Sequence, residues 1–287
     1  MNIKKLTLKS TSFPEVLRHI DSPPQALYQL GAPLGQLLER PVVTIVGSRS
    51  ASAYGQRVTE ELAGQLAERG VVVVSGLALG IDGIAHRAAL QAGGLAIAVL
   101  PGPVDNVVPR TNRRLAQAIL DQGGALVSEY TSGTVPQRQY FIARNRLMAG
   151  LGQVVVVTEA AEKSGSLYTA DFAIDQGKTV LAIPGNITNI GSVGTNNLLK
   201  SGATPLTSYL DFLHALGLQD RQGPKGQPEG RTAHEQTVIK LLAEGVSDGD
   251  ELLERSGLSV SHFNQALAML EIGGKIRPLG ANHWALY

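Results

Sequence analysis

Six short apolar runs limit what this chain can fold into: Val42–Val46, Val71–Val74, Leu95–Leu100, Ala125–Val127, Val154–Val157 and Val180–Ile183. Each is rich in Val, Ile or Leu at consecutive rather than alternate positions. Such a strand has no face to offer water, so it belongs in a parallel sheet covered on both sides. The stretches between the runs supply the cover. In Val58–Arg69, the residues Val58, Leu62, Leu66 and Ala67 fall on one face of a helix. Ile81–Ala92, Arg113–Asp121 and Leu167–Gln176 read the same way, and Gly70, Gly93, Gly123 and Gly177 follow where a helix needs a left-handed ending. The alternation predicts an α/β domain over residues 41–218, a Rossmann-like, doubly wound and mostly parallel sheet.

The flanks differ. Residues 1–40, with Pro14, Pro23, Pro24 and Pro33, read as an N-terminal extension leading into the fold. Residues 219–230 (QDRQGPKGQPEG) are polar and aperiodic, the composition of a linker. Residues 231–287 read as three short helices, His234–Glu244, Asp248–Ser256 and Val260–Ile272. A hairpin from Lys275–Pro278 and His283–Leu286 follows, which makes a small winged-helix-like domain.

With no cysteine, disulfides, thiolate zinc sites and thiol catalysis are excluded. The basic start MNIKKLTLKS runs into no apolar segment, and every apolar run is strand-length. We therefore expect no signal peptide and no membrane span, and a cytoplasmic location.

The net charge of +1 hides a local imbalance. Arg110, Arg113, Arg114, Arg138, Arg144 and Arg146 face only Asp121 and Glu129 over the same stretch, whereas residues 231–287 carry five Lys/Arg against seven Asp/Glu. A polyanion responds to the local field, so the sheet domain and not the tail carries the basic surface.

Ligands of open α/β sheets sit beyond the carboxyl ends of the strands. The first run ends in Gly47-Ser48-Arg49, followed by Ser50 and Ser52. A glycine permits close approach, the hydroxyl and the next helix start can meet an anion, and arginine is a bidentate phosphate donor. A plain tight turn with a solvated arginine would read the same. Asp82, after Ser75-Gly76-Leu77-Ala78-Leu79-Gly80, suits a helix cap. The richest stretch is Arg138-Gln139-Tyr140-Phe141-Ile142-Ala143-Arg144-Asn145-Arg146, where arginines for phosphates alternate with rings on which unpaired bases stack. Equally, Phe141 and Leu147 could be core residues of a helix whose arginines face water. Lys163-Ser164-Gly165-Ser166, with Thr169 one turn on, is a second anion-receptive helix start, and Pro184-Gly185 with Gly191–Asn196 forms a third loop of that kind.

Other classes lack their carriers. There is no G-x-G-x-x-G, no G-x-x-x-x-G-K-[ST] and no H-E-x-x-H, and the one G-x-S-x-G, at residues 245–249, lies in the tail and not at a strand end of the sheet. We expect no nucleotide cofactor, no metal and no catalytic residue.

In order along the chain stand V-G-S-R, S-G-x-A-x-G-I-D, A-R-N-R, S-G-S-x-x-T-A and P-G…G-T-N-x-L-x-x-x-G-A. Together they resemble the DNA-processing protein A family (DprA, also called Smf) over residues 13–216. The resemblance implies a non-enzymatic protein that binds single-stranded DNA, forms a homodimer and loads the RecA recombinase during natural transformation. It implies a DNA site of Gly47, Ser48, Arg49, Arg138, Phe141, Asn145, Ser164, Gly165 and Ser166, with Arg144, Arg146, Lys163 and Thr169 as additional contacts. Dimer and RecA contacts would fall near Asn197–Leu216. Three departures stand out: Pro101-Gly102-Pro103-Val104-Asp105 replaces a G-x-G-x-D loop, Ile142 replaces a proline, and the N-terminal SAM-like domain of many members is read as lacking. Two alternatives remain. One is a LOG-type nucleoside-monophosphate phosphoribohydrolase, whose essential glutamate has no counterpart after Pro184-Gly185. The other is a partner-binding scaffold acting through the winged helix.

Overall fold

A computed structural model describes residues 2–217, 230–280 and 282–286 as two compact units, within residues 1–219 and 220–287. Of the stretch read as a linker only Gly230 is described, so that reading lies outside the described residues. The first unit is a nine-stranded sheet. Its strands are β1 (Lys4–Thr7), β2 (Ala26–Gly31), β3 (Val42–Val46), β4 (Val72–Ser75), β5 (Ala96–Val99), β6 (Ala125–Ser128), β7 (Val154–Val157), β8 (Thr179–Ala182) and β9 (Thr204–Pro205). They lie in the order β1-β2-β6-β5-β4-β3-β7-β8-β9, parallel from β6 to β9.

The helices are α1 (Leu34–Leu38), α2 (Ala53–Glu68), α3 (Ile81–Gln91), α4 (Arg113–Asp121), α5 (Arg138–Leu151), α6 (Leu167–Asp175), α7 (Val193–Lys200) and α8 (Tyr209–Ala215). Because side chains alternate across a strand, Val43 and Ile45 pack with Leu62 and Leu66 of α2 and Ile81 and Ala85 of α3. Val42 and Val46 pack on the opposite side with Leu147 and Leu151 of α5 and Ala170 of α6. This two-sided burial is what the continuous apolar runs predict.

Residues 1–40 are not a mere extension. β1 and β2 pair with each other and β2 pairs with β6, all antiparallel. Their prolines fall between elements: Pro14 precedes a single 3-10 turn at Glu15–Leu17, and Pro33 starts α1. Strands of four and six residues with one apolar face leave a faint trace in sequence, which is why the segment reads as irregular.

The second unit has α9 (Ala233–Ala243), α10 (Gly249–Ser256) and α11 (Val260–Ile272), with β10 (Ile276–Gly280) paired antiparallel to β11 (His283–Leu286). Its own core holds Val238, Leu252, Phe263, Leu270 and Ile276. No described helix is long and apolar enough to cross a bilayer.

Candidate nucleic-acid interface

The sheet order reverses between β3 and β7. Crossovers leave toward opposite faces there, and the loops after the two strands part to open a crevice. A cleft of about 910 Å³ lies at this point. One wall is Gly47, Ser48, Arg49 and Ser50 after β3, and another is Ala161, Lys163, Ser164, Gly165 and Ser166 after β7. The first half of α5 closes the third side with Arg138, Phe141 and Asn145. These stand three and four residues apart, so they share one helix face. Arg138 and Arg49 are exposed and Phe141 is half-buried, its ring centroid 5.2 Å from the Arg49 guanidinium carbon. All nine residues assigned to the DNA site from sequence line this one cleft.

Several of them are also bound to the scaffold. A Cβ on Gly47 would lie 2.7 Å from Ile81 Cγ1 and 2.9 Å from the Glu159 carbonyl oxygen, so only glycine lets these elements meet. Ser48 N–H donates to that same carbonyl at 2.7 Å, and its hydroxyl accepts from Ser50 N–H at 3.1 Å. Asn145 donates from Nδ2 to Gly165 O at 3.0 Å, tying α5 to the loop after β7. The Ser164 and Ser166 hydroxyls share a hydrogen bond of 2.8 Å.

The four additional contacts divide. Lys163 is exposed on the cleft rim, and Thr169 is fully buried in its lining. Arg144 reaches the floor but is only 4% exposed. Its guanidinium donates to Gly76 O at 2.8 Å and to Val99 O, beside the buried carboxylate of Asp82. Burial pulls the Arg144 pKa down to about 10 against the opposing pull of Asp82, and burial pushes Asp82 up while Arg144 holds it down. A Cβ on Gly76 would meet Arg144 Nη1 at 2.2 Å, so glycine there makes room for the guanidinium. Arg144 is thus a strut between α5 and the ends of β4 and β5. Arg146 is not in the cleft: it forks onto Glu129 at 2.6 Å and donates to Ser22 O at 3.0 Å. Fixed partners thus hold both guanidinium groups, that of Arg144 in the cleft lining and that of Arg146 outside it.

Other expectations are corrected too. The start of α2 is not open to an anion. Glu159, 4% exposed, accepts there from Ser52 N–H at 3.1 Å and from the Ser52 hydroxyl. Asp82 accepts from Gly76 N–H and Ala78 N–H in the preceding loop instead of capping its own helix. The loop after β8 does not line the cleft; Gly185 and Asn196 close it by bonding each other in both directions. Sequence reasoning missed Glu159 and the half-exposed Tyr168 on the rim. Only the position of Glu159 just past a strand end could have flagged it.

Fold and cleft define a doubly wound α/β protein with a cationic, ring-bearing crevice at its topological switch point, joined to a winged-helix unit. The family model described as DNA recombination-mediator protein A matches residues 4–217, and that of the DprA winged helix domain matches residues 222–282. The chain belongs to the DprA/Smf family. It is 40% identical over 242 residues to Protein Smf of Escherichia coli, covering 82% of this chain and 65% of that protein. It thus spans a little under two thirds of that relative's length. To DNA processing protein DprA of Bacillus subtilis it is 36% identical, over 75% of this chain and 71% of the relative. Among solved structures, DNA processing protein A from Streptococcus pneumoniae is similar with a TM-score of 0.69 at 39% identity, over 75% of this chain and 74% of that one. That from Helicobacter pylori, solved for its single-stranded DNA binding mode, gives 0.66 at 35% identity, over 74% and 95%.

Proposed function

We propose that the cleft holds single-stranded DNA as part of a non-enzymatic DNA-processing protein of the cytoplasm. The observation that carries this is the meeting of Arg49, Arg138 and the half-buried Phe141 ring on one rim. Cations neutralise phosphates, and a ring face accepts a base only when that base is unpaired. The H. pylori relative's single-stranded DNA binding mode supports the same substrate class. Binding without cleavage is supported by the floor of the cleft: its one described lining carboxylate, Asp82, is engaged by two backbone amides and Arg144. Homodimer formation, RecA loading and a role in natural transformation complete the proposal and rest on family membership. The test is titration of labelled single- and double-stranded oligonucleotides at two salt concentrations. Preference for the single strand is expected; equal affinity for the duplex would overturn the reading.

A further inference from the structure

Arg49 is exposed, yet the chain on either side of it is fixed, and both fixings lead to one residue. Before it, Ser48 N–H donates to the Glu159 carbonyl oxygen at 2.7 Å. After it, Ser52 donates twice to the Glu159 carboxylate, from its N–H to Oε1 at 3.1 Å and from its hydroxyl to Oε2. Only Arg49, Ser50 and Ala51 lie between these two grips. Gly55 leaves room for the carboxylate, since a Cβ there would lie 2.6 Å from Glu159 Oε2. A buried carboxylate is costly unless it is paired or hydrogen-bonded. Glu159 is 4% exposed and forms no ion pair among the described residues, so its oxygens are committed to Ser52 and the positive start of α2. Beside a cationic cleft such a charge repels a polyanion, so electrostatics alone predicts tighter binding once it is removed.

We propose that Glu159 is the positioning residue of the cleft: it grips the Arg49 turn at both ends and so aims the guanidinium at the Phe141 ring and the strand. The inference rests on the function proposed above and says how its arginine is held. Other bonds brace the same turn, Ile81 N–H to Ser48 O at 3.1 Å and Gln56 Nε2 to Ala51 O at 3.0 Å, but they join it to α3 and α2. Glu159 stands two residues past the end of β7, at the base of the loop that carries Ser164 and Ser166. It thereby ties one wall of the crevice to the other, and removing it should weaken binding where simple charge arithmetic says the reverse.

The experiment is a double-mutant cycle between Glu159 and Arg49, read by anisotropy titration of the full chain with a labelled oligothymidine. Glu159→Ala should bind about tenfold more weakly and lower the salt slope by about 0.7, the marks of one lost arginine–phosphate contact. In that background Arg49→Ala should cost nothing further. Glu159→Gln, which keeps an acceptor for Ser52 N–H, should recover most of the affinity. Ser52→Ala frees the carboxylate from the other side and carries the same cycle should Glu159→Ala not fold, which melting curves decide. A variant that is only less stable would lose affinity with the slope intact and on top of the Arg49→Ala loss. Unchanged or tighter binding in Glu159→Ala, or additive losses in the cycle, would overturn the proposal. Hydrogen–deuterium exchange of the unliganded chain separates it from the proposed function. Exchange over residues 48–52 should rise in Glu159→Ala while that over 138–145 stays as in the wild type. If the wild type binds no oligothymidine yet 48–52 loosens, the proposed function falls and the grip on the turn stands. If 48–52 stays protected, the grip falls whatever the DNA does.

Discussion

The Arg49 guanidinium carbon lies 5.2 Å from the centroid of the Phe141 ring, across the gap between the loop after β3 and the first turn of α5. Each group covers the other's binding face, so a base that stacks on Phe141 must displace or share the arginine. Charge and stacking should therefore separate in measurement, and the first prediction uses this.

Arg49→Ala and Arg138→Ala should each weaken single-strand binding and lower the slope of log affinity against log salt by about 0.7, the value for one phosphate contact on a single strand. Phe141→Ala should cost about 1–3 kcal/mol of binding with the slope unchanged. Affinity titrations across several salt concentrations read both. Identical slopes in all three variants would mean that neither arginine meets a phosphate.

Arg144→Met should act on folding. With the guanidinium gone, Asp82 is left buried without its counter-charge, and losing one member of a buried pair costs about 3–5 kcal/mol. Urea unfolding should show the midpoint fall sharply in Arg144→Met, recover in part in the Arg144→Met, Asp82→Asn double variant, and stay put in Arg138→Ala.

His86 on α3 is fully buried, and burial pushes its pKa from 6.5 down to about 4. The folded imidazole stays neutral where the unfolded one already takes a proton. Its contribution is therefore complete above pH 6.5 and is lost as the pH falls toward 4, by about 3 kcal/mol across that window. Unfolding free energies at pH 7, 5.5 and 4 should converge between the wild type and His86→Gln as the pH drops. A constant gap would remove His86 as the cause.

Removing residues 219–287 should leave single-strand affinity at the level of the full chain. The recognition-type helix α11 carries no Lys or Arg, and the segment from 231 on is net acidic, so it adds no attraction for phosphate. A loss of binding in the shortened chain would favour the scaffold reading of the winged helix.

The sheet was legible because its strands are buried on both faces. Val42–Val46 and Val154–Val157 match their observed bounds, and Val260–Ile272 does so in the second unit. The cleft was legible because Arg49, Phe141 and Ser164 come from segments whose strand ends could be counted. What could not be read was where arginines spend their charge. Arg138, Arg144 and Arg146 look alike in sequence, yet the six-residue step from Arg138 to Arg144 turns the second inward to Asp82, and two residues more bring the third to Glu129. Glu159 was invisible for the same reason, since its partner Ser52 is 107 residues away.

The antiparallel pair formed by Lys4–Thr7 and Ala26–Gly31 has a practical side. A fragment trimmed to begin at residue 41, where the repeating pattern starts, would strip the flank of β6 and leave its amides and carbonyls unpaired along an apolar strand, an invitation to self-association. Any shortened version made for crystallisation or binding work should keep everything from Lys4 onward, because the leading forty residues are the hem that stops this sheet from fraying.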